Sequence, residues 1–202
     1  MGNIFDSRVS LAVPSRRAEY IKRCGYNGRV KLVLREFRSE DFNSLWRIDQ
    51  ACFAPGIAYS RLELAAYIRL RGAFTVVAES IAGAHERHGD GARPITQWAP
   101  RILGFIVAQA TRRGVGHILT IDVPPASRRS GVGSKLLTAA EDRLRAAPCH
   151  SVVLETAVDN SAALAFYKRH QYSVVKTIPR YYSNGVDAFV LEKELLSPSR
   201  DR

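Results

Sequence analysis

The chain has 202 residues, of which 46% are hydrophobic and 24% are charged, a composition typical of a single globular domain. No run of about 18 apolar residues occurs, and the first residues lack the pattern of a signal peptide, so neither a membrane protein nor a secreted one is expected. The three cysteines and five histidines show no metal-ligand spacing and no disulfide framework. We therefore expect no metal and a reducing, cytoplasmic location.

The formal net charge is +11, and much of it lies early in the sequence. Residues 1–38 contain nine Lys or Arg residues against three acidic residues. A basic surface attracts anionic partners, so one hypothesis is contact with the ribosome or RNA through a basic N-terminal extension, residues 1–29. The alternative is a solvated basic surface without a specific partner, because no aromatic-interleaved basic motif accompanies the charge.

The first half of the chain predicts strands and helices with clear end signals. Ser39 is followed by two acidic residues and then by apolar residues at helical spacing, and Ser60 with Glu63 forms a capping box. A polar, glycine-rich and proline-containing segment at 83–100 predicts a loop. In chain order, the predicted elements are a strand at 30–37, a helix opened by Ser39, a helix from Ser60 to a stop at Gly72, and strands at 74–78 and 102–110.

The second half of the chain is more regular. Its predicted elements are a strand at 118–123, a helix at 133–147, a strand at 152–157, a helix at 160–170, and strands at 173–178 and 186–195. The whole order predicts an α/β fold with one mixed, mostly antiparallel sheet flanked by helices. Strands in the middle are expected to be parallel where helices intervene. The domain is predicted to span residues 30–196, with a polar tail at 197–202.

Residues 128–134, Arg-Arg-Ser-Gly-Val-Gly-Ser, join a predicted buried strand to a predicted helix. Gly131 and Gly133 let the backbone approach a ligand and turn sharply into the helix, whose first N–H groups carry the positive end of its dipole. Arg128 and Arg129 add positive charge, so the loop predicts a pyrophosphate site. It matches neither the Walker pattern nor the dinucleotide fingerprint, and the alternative is a tight turn that binds nothing.

The spacing Arg128-x-x-Gly131-x-Gly133 after an apolar strand resembles the cofactor motif of the GNAT acetyltransferases. Further along the chain, the likeness continues at Leu154-Glu155, Asn160-Ser-Ala-Ala, Phe166-Tyr167 and Tyr181-Tyr182. Together these motifs resemble the branch of ribosomal-protein-alanine N-acetyltransferases, which includes relatives that acetylate other protein N-termini. The likeness spans roughly residues 31–195 and is sharpest over 118–182.

The resemblance implies a GNAT fold whose central parallel strands splay apart and hold acetyl-coenzyme A in the gap. Ile121, Asp122 and Val123 would offer backbone groups to the pantetheine and the thioester. Asn160 would lie near the cofactor, and it could also cap the helix that follows it. The pyrophosphate cradle of the family falls on Arg128, Arg129, Ser130, Gly131, Val132, Gly133 and Ser134.

Two residues are candidates for the proton transfers that acetylation of an amine requires. Glu155 is the one charged residue in an otherwise apolar strand, so it should face a polar cleft, and the resemblance implies that it accepts the proton of the amine through water. Tyr167 matches the tyrosine that protonates the departing thiolate in the family. The alternatives are a rim carboxylate that pairs with an arginine or attracts a cationic substrate, and a half-buried core tyrosine.

Four residues are candidates for contact with the acetyl acceptor: Pro55, Tyr59, Tyr181 and Tyr182. The two adjacent tyrosines resemble the substrate-clamping pair of N-terminal acetyltransferases. The alternative for this pair is an exposed loop that packs on the edge of the sheet.

Three positions depart from the pattern of the family. Residues 52–60 occupy its substrate-recognition loop but lack the Phe-Pro-Trp of the ribosomal enzymes, which leaves the ribosomal acceptor open. Gln171 stands where a glycine usually follows the last helix, so the helix end lacks its easy left-handed residue. Ser130 replaces a commonly basic residue of the pyrophosphate loop.

These observations predict an enzyme that moves acetyl from acetyl-coenzyme A to a primary amine, with a protein N-terminal α-amine as the preferred acceptor. The attack is expected to be direct, in a ternary complex without an acyl-enzyme. An α-amine has a pKa near 7.7–8.0 and needs only a modest base, whereas a lysine near 10.4 needs more. The alternatives are acetylation of lysine or a small-molecule amine, and a catalytically idle module that binds the ribosome or RNA.

Overall fold

The structure is a computed structural model that describes residues 30–82 and 101–195. Within these residues, seven strands and four α-helices follow one another in the predicted order: β1 (Val30–Glu36), α1 (Phe42–Cys52), α2 (Arg61–Ile68), β2 (Ala73–Ala82), β3 (Arg101–Ala110), β4 (Val115–Asp122), α3 (Val132–Ala146), β5 (Ser151–Ala157), α4 (Ser161–Arg169), β6 (Ser173–Ile178) and β7 (Ala188–Glu194). The predicted extension 1–29, loop 83–100 and tail 197–202 lie outside the described residues.

The strands form one seven-stranded sheet in the order β1-β2-β3-β4-β5-β7-β6. Only β4 and β5 pair in parallel, since α3 connects them; the other neighbouring pairs are antiparallel. The strand β7 pairs with both β5 and β6, so it lies between them. The predicted mixed, mostly antiparallel sheet is therefore confirmed.

Each face of the sheet is covered by one pair of helices, and β3 contributes to both cores because successive side chains point to opposite faces. Ile106 and Ala108 pack in the core beneath α3 and α4, while Phe105 and Val107 pack in the core beneath α1 and α2. The buried side chains of the helices at these cores include Leu45, Leu64, Leu136, Leu137, Ala140 and Leu144.

Several boundaries differ from their predictions; β2, for example, runs to Ala82, four residues past its predicted end. The helix α2 ends at Ile68, four residues before the predicted stop at Gly72. Gly72 has another role: its φ is +80°, and a Cβ there would lie 2.5 Å from the carbonyl oxygen of Ala110, so only glycine lets this turn approach the end of β3. The strand β4 begins at Val115, three residues before the prediction, because the Thr111 backbone and hydroxyl both donate to the Val115 carbonyl and close a hairpin.

An ion-pair network fixes the turn before α1 to the sheet. The Arg35 guanidinium donates to both carboxylate oxygens of Asp41, at 2.6 and 2.9 Å, and to both of Glu79, at 2.9 and 3.0 Å. All three side chains are largely buried, so loss of the guanidinium would leave two carboxylates in a poorly solvated environment. This network joins β1, β2 and the start of α1.

The end of α4 adopts the geometry that usually requires glycine. The Tyr172 N–H donates to the Tyr167 carbonyl and the Gln171 N–H donates to the Lys168 carbonyl, which is the Schellman pattern. Gln171 stands at the left-handed position with a φ of 68°. The absence of glycine therefore did not change the local fold, and the exposed Gln171 carries the backbone strain.

We predict that Gln171→Gly stabilises the protein by about 0.5–1 kcal/mol, because relief of left-handed strain outweighs the added entropy of the unfolded chain. The measurement is the free energy of unfolding from urea titration. Gln171→Ala is the matched control, since alanine has the same strain, and we expect it to change the free energy little. Equal stabilisation by both substitutions would contradict the strain argument.

Candidate functional site

The parallel strands β4 and β5 stay together over only three residue pairs, Val115 with Ser151, Gly116 with Val152 and His117 with Val153. Beyond them, residues 118–122 of β4 and 154–157 of β5 continue without pairing to each other. The two strands therefore leave a gap in the middle of the sheet. Backbone groups along such a gap need hydrogen-bond partners from outside the ladder, which makes it a site for an extended ligand with amide groups.

A β-bulge at Leu119 accompanies this separation. Val107 of β3 pairs with Thr120 and the next residue, Ala108, pairs with Ile118, so Leu119 is the extra residue. A bulge bends a strand and increases its twist, which turns the end of β4 away from β5. The Leu119 carbonyl accepts a hydrogen bond from the Tyr59 hydroxyl at 3.0 Å, which ties the α1–α2 loop to the bulge.

The predicted phosphate loop lies at the end of β4 and opens onto α3. Gly131 is the residue before α3, with a φ of 82°, and a Cβ added there would meet no atom within 4 Å. The surface at Gly131 is therefore open, and it adjoins the first N–H groups of a 15-residue helix, the position at which helices bind anions. Arg129 also has a positive φ of 60°.

Two other side chains of this loop have protein partners. The Arg128 Nε donates to the Val123 carbonyl at 3.0 Å, and the Ser130 hydroxyl donates to the Ser127 carbonyl at 2.6 Å. These bonds hold the turn in shape. Serine at position 130, where the family commonly has a basic residue, thus removes a charge from the loop but adds a hydrogen bond that stabilises the turn.

The start of α3 packs on the side chains of α4. A Cβ at Gly133 would lie 3.4 Å from the ring of Phe166, and the Ser134 hydroxyl is 2.9 Å from Nε2 of His170. Asn160 is the N-cap of α4, where its side-chain oxygen accepts the Ala163 N–H at 3.1 Å. The predicted capping role is therefore present, and the side-chain NH₂ of Asn160 is left for another partner.

The residues that the structure places at the base of the gap are Glu155 and His117. The Glu155 Oε2 lies 2.7 Å from the His117 Nε2, and the two side chains are 20% and 28% exposed. Their neighbours Leu154 and Ile118 belong to the core beneath α3 and α4, so both polar side chains point to the opposite face. The partner of Glu155 is thus an imidazole, whereas the alternative drawn from the sequence is a rim carboxylate paired with an arginine.

Tyr167 lies beside the gap and is 6% exposed. Burial, followed by the nearby charge of Asp122, raises the pKa of its phenol above the usual value. Its ring packs edge-on against Phe166 and Tyr172. Within residues 30–82 and 101–195 its hydroxyl has no hydrogen-bond partner, so its proton is not committed to the protein there. Tyr167 is therefore compatible with both interpretations from the sequence, a core aromatic residue and a proton donor.

The α1–α2 loop and the β6–β7 loop meet above the dyad of His117 and Glu155. The Ser183 hydroxyl donates to the Gly56 carbonyl at 2.8 Å, which joins the two loops next to Pro55. The ring of Tyr59 packs against that of Tyr67, tilted by 52°, with centroids 4.9 Å apart. These contacts form the side of the site that faces away from α3.

The adjacent tyrosines of the β6–β7 loop lie close to Glu155. Burial and then the Glu155 carboxylate raise the pKa of Tyr181. Burial, Tyr181 and then Glu155 raise the pKa of Tyr182 to about 12. Their rings are perpendicular, with centroids 5.0 Å apart, and Tyr181 remains 47% exposed. The tyrosine pair therefore lies within electrostatic range of Glu155.

Two buried carboxyl groups lie behind this site, and the sequence did not indicate either burial. Asp122 has no exposed surface; one oxygen accepts the Thr120 hydroxyl at 2.5 Å, and the other has no partner in the described part of the chain. Burial raises the pKa of Asp122 well above its usual value. Asp49 is also fully buried; its carboxylate accepts the Tyr59 N–H at 2.9 Å, and burial raises its pKa to about 6.

Neither described cysteine is suited to nucleophilic catalysis. Burial raises the pKa of the Cys52 thiol to about 11 and also raises that of Cys149. The thiolate is the reactive form, so these side chains stay protonated near neutral pH. In the same residues, no group of three or more histidine, cysteine, aspartate or glutamate side chains could hold a metal ion.

His117 is the functional candidate that sequence reasoning missed. None of the five histidines has metal-ligand spacing, so that criterion does not single out His117. The available signal was position: His117 lies in an apolar strand next to the strand of Glu155, and a polar residue in such a place needs a polar partner. His117 and Glu155 come together through the pairing register of β4 and β5, and the sequence pattern does not give this register.

We predict that Asp122→Asn stabilises the protein at pH 8, because ionising a fully buried carboxyl is unfavourable and asparagine removes the charge. The folded-state pKa is raised, so the destabilisation is absent below the unfolded pKa near 3.9 and grows as the pH rises toward the folded value. The measurement is the midpoint of thermal unfolding from pH 4 to pH 8. The gain should shrink toward pH 4, while the exposed Asp142→Asn should shift the midpoint little; a gain independent of pH would contradict the prediction.

Comparisons with known proteins agree with this geometry. The sequence profile of the acetyltransferase (GNAT) family matches residues 42–172. N-alpha-acetyltransferase 30 of Schizosaccharomyces pombe is 37% identical over 93 residues, which cover 44% of this chain and 62% of that protein. An uncharacterized N-acetyltransferase of Methanocaldococcus jannaschii is 36% identical over 95 residues, 46% of this chain and 60% of that protein. The chain thus spans less than two thirds of the length of these relatives.

Solved structures show the same fold. Ard1 from Thermoplasma volcanium is 26% identical, with a TM-score of 0.64 over 82% of this chain and 98% of that one. The NatC complex bound to Gag peptide and CoA contains a chain that is 25% identical, with a TM-score of 0.61 over 82% and 99% of the two chains. Because the family profile covers more than half of the sequence, this protein belongs to the GNAT acetyltransferase family.

Proposed function

We propose that the protein transfers acetyl from acetyl-coenzyme A to the α-amine of a protein N-terminus, by direct attack in a ternary complex. The observation that carries this proposal is the contact of Glu155 with His117 at the base of the β4–β5 gap. Relatives named N-alpha-acetyltransferase, 35–38% identical over part of this chain, support the choice of an α-amine.

The gap and the loop fit the acetyl donor. Backbone groups of Ile121, Asp122 and Val123, where β4 no longer pairs with β5, are suited to the amide groups and thioester of an extended pantetheine arm. The first N–H groups of α3, behind the open space at Gly131, are suited to the pyrophosphate. Arg129 supplies a guanidinium to the same loop. Val132, Gly133 and Ser134 form the first turn of the helix that would bind it.

Glu155 would remove the proton of the attacking amine, directly or through one water molecule. Its carboxylate is partly exposed, and His117 holds one of its oxygens in place at 2.7 Å. An α-amine with a pKa near 7.7–8.0 needs only such a modest base near neutral pH. We therefore assign Glu155 as the base and His117 as the residue that positions it.

The leaving thiolate also has to be protonated. As the amine nitrogen forms a bond to the acetyl carbon, the carbon–sulfur bond breaks and its electron pair moves to sulfur. Tyr167 would donate its phenolic proton to that thiolate. The nitrogen loses its second proton to solvent as the amide forms, and solvent restores the proton of the tyrosine. The high thiol pKa of Cys52 supports this direct transfer over an acyl-enzyme on cysteine.

The acceptor would enter between the two joined loops. Pro55 and Tyr59 on one side and Tyr181 and Tyr182 on the other provide apolar and aromatic surface near Glu155. The described residues contain no helix long and apolar enough to cross a membrane. Contact of residues 1–29 with the ribosome or RNA, and a cytoplasmic location, stay predictions.

We predict that the protein acetylates peptides with a free α-amine in preference to other amines. The test incubates it with acetyl-coenzyme A and a panel of peptides, and mass spectrometry locates the added acetyl group. The control peptides have the same sequences but carry a formyl group on the N-terminus and one lysine, so the lysine side chain is their only free amine. Spermidine represents small amines. Product on lysine or spermidine alone would overturn the choice of acceptor. Thermal stabilisation by acetyl-coenzyme A without any product would favour a catalytically idle module.

We predict that Glu155→Gln lowers kcat by roughly 100-fold or more, because the base is lost while the shape is kept. His117→Phe should also lower kcat, but by less, since it removes the partner that positions the carboxylate. Tyr167→Phe should lower kcat with little change in the KM for peptide. Glu194→Gln, an exposed carboxylate on β7, is the control and should leave turnover unchanged. Full turnover by Glu155→Gln or Tyr167→Phe would refute the assignment of that residue.

A further inference from the structure

Two turns lie side by side at the end of the sheet opposite the phosphate loop. The turn after α2, residues 69–72, precedes β2, and the hairpin turn 111–114 joins β3 to β4. The Gln109 side-chain amide donates to the Arg71 carbonyl at 2.8 Å, and the Ala110 N–H donates to the Gly72 carbonyl at 3.0 Å. These bonds and the close approach at Gly72 hold the two turns together.

Four exposed arginines project from these turns, Arg69, Arg71, Arg112 and Arg113, and we refer to them as the arginine cluster. None of the four side chains has an ion pair or hydrogen bond to a carboxylate in the described residues. By contrast, Arg35, Arg143 and Arg145 each pair with a carboxylate there. Within residues 30–82 and 101–195, the cluster is therefore a concentration of positive charge without internal compensation.

The acidic residues near this end of the sheet do not neutralise the cluster. Glu36 pairs with Arg143. Glu194 is in register with Ser151, which is in register with Val115, so it lies two strands from the hairpin, at about 10 Å. That distance is about one Debye length in 0.1 M salt, so its charge is partly screened at the cluster.

The cluster also has a shape suited to phosphate groups. A cleft of about 440 Å³ lies where the two turns meet, and it is lined by Arg71, Gly72, Gln109, Ala110, Thr111 and Arg112. Guanidinium groups present forked donors that match phosphate oxygens. Arginines on both sides of a cleft, carried by turns that are bonded to each other, can engage successive phosphates of one strand without reorganising the backbone.

We propose that the arginine cluster binds the phosphate backbone of RNA. Leu70, 41% exposed, is the one large apolar side chain exposed in these two turns, and a membrane-binding or protein-binding surface needs more apolar area. The cluster lies at the start of β4, whereas the gap and the phosphate loop lie at its end. RNA binding is thus a function beyond acetyl transfer and does not use the acetyl-transfer site.

The test measures the binding of the full chain to a fluorescein-labelled 20-base-pair RNA duplex by fluorescence anisotropy, from 50 to 200 mM KCl. The cluster variant combines Arg69→Gln, Arg71→Gln, Arg112→Gln and Arg113→Gln. The control variant combines Arg47→Gln, Lys168→Gln, Arg169→Gln and Lys176→Gln, which are exposed on α1, α4 and β6 and lose the same total charge. Thermal unfolding checks that both variants are folded, so the test does not depend on acetyltransferase activity.

We expect the cluster variant to bind RNA roughly 10-fold or more weakly, and its slope of log affinity against log salt to fall by about 3, since each phosphate contact contributes about 0.7–0.9. The control variant should change both values much less. Equal losses in the two variants would show that only net charge matters and would overturn the proposal. Cluster-dependent binding to phosphatidylserine vesicles or polyglutamate at the same affinity as to RNA would also overturn it.

Discussion

The parallel pairing of β4 with β5 stops after three residue pairs, and the rest of the site depends on that interruption. A bulge at Leu119 turns β4 away, and both strands then continue with backbone groups that have no ladder partner. Elsewhere a sheet would be weakened by such a break. Here two helical cores, one on each face, hold the strands on either side, so the unpaired groups persist as a site for a ligand with its own amide groups.

The same interruption explains why a polar pair lies in the middle of an apolar sheet. His117 is the last residue of β4 that pairs with β5, and Glu155 follows two residues after its partner Val153. A carboxylate between two closed strands would be desolvated, whereas the gap leaves each side chain partly exposed and gives each the other as a partner. The chemistry proposed for the dyad and the binding proposed for the backbone thus share one structural cause.

Three features could be predicted from local signals: the order of elements, the parallel middle strands and the glycine turn into α3. The signals are hydrophobic periodicity, the Ser60 capping box and closely spaced glycines. The contact of Glu155 with His117 could not be predicted, because it depends on register between strands far apart in sequence. The burial of Asp49 and Asp122 was hidden for the same reason, since an aspartate at a strand or helix end normally indicates exposure. The left-handed Gln171 shows the opposite case, in which tertiary packing overrides a local preference.

The hydrogen bond from Tyr59 to the Leu119 carbonyl connects the loop that would receive the acceptor to the strand that would hold the donor. Any acceptor that displaces Tyr59 also alters the bulge, and any donor that orders the bulge favours one position of Tyr59. By thermodynamic reciprocity, each substrate must then change the affinity for the other by the same factor. A substitution in residues 52–60 that alters acceptor preference through this bond would accordingly also change the affinity for the donor.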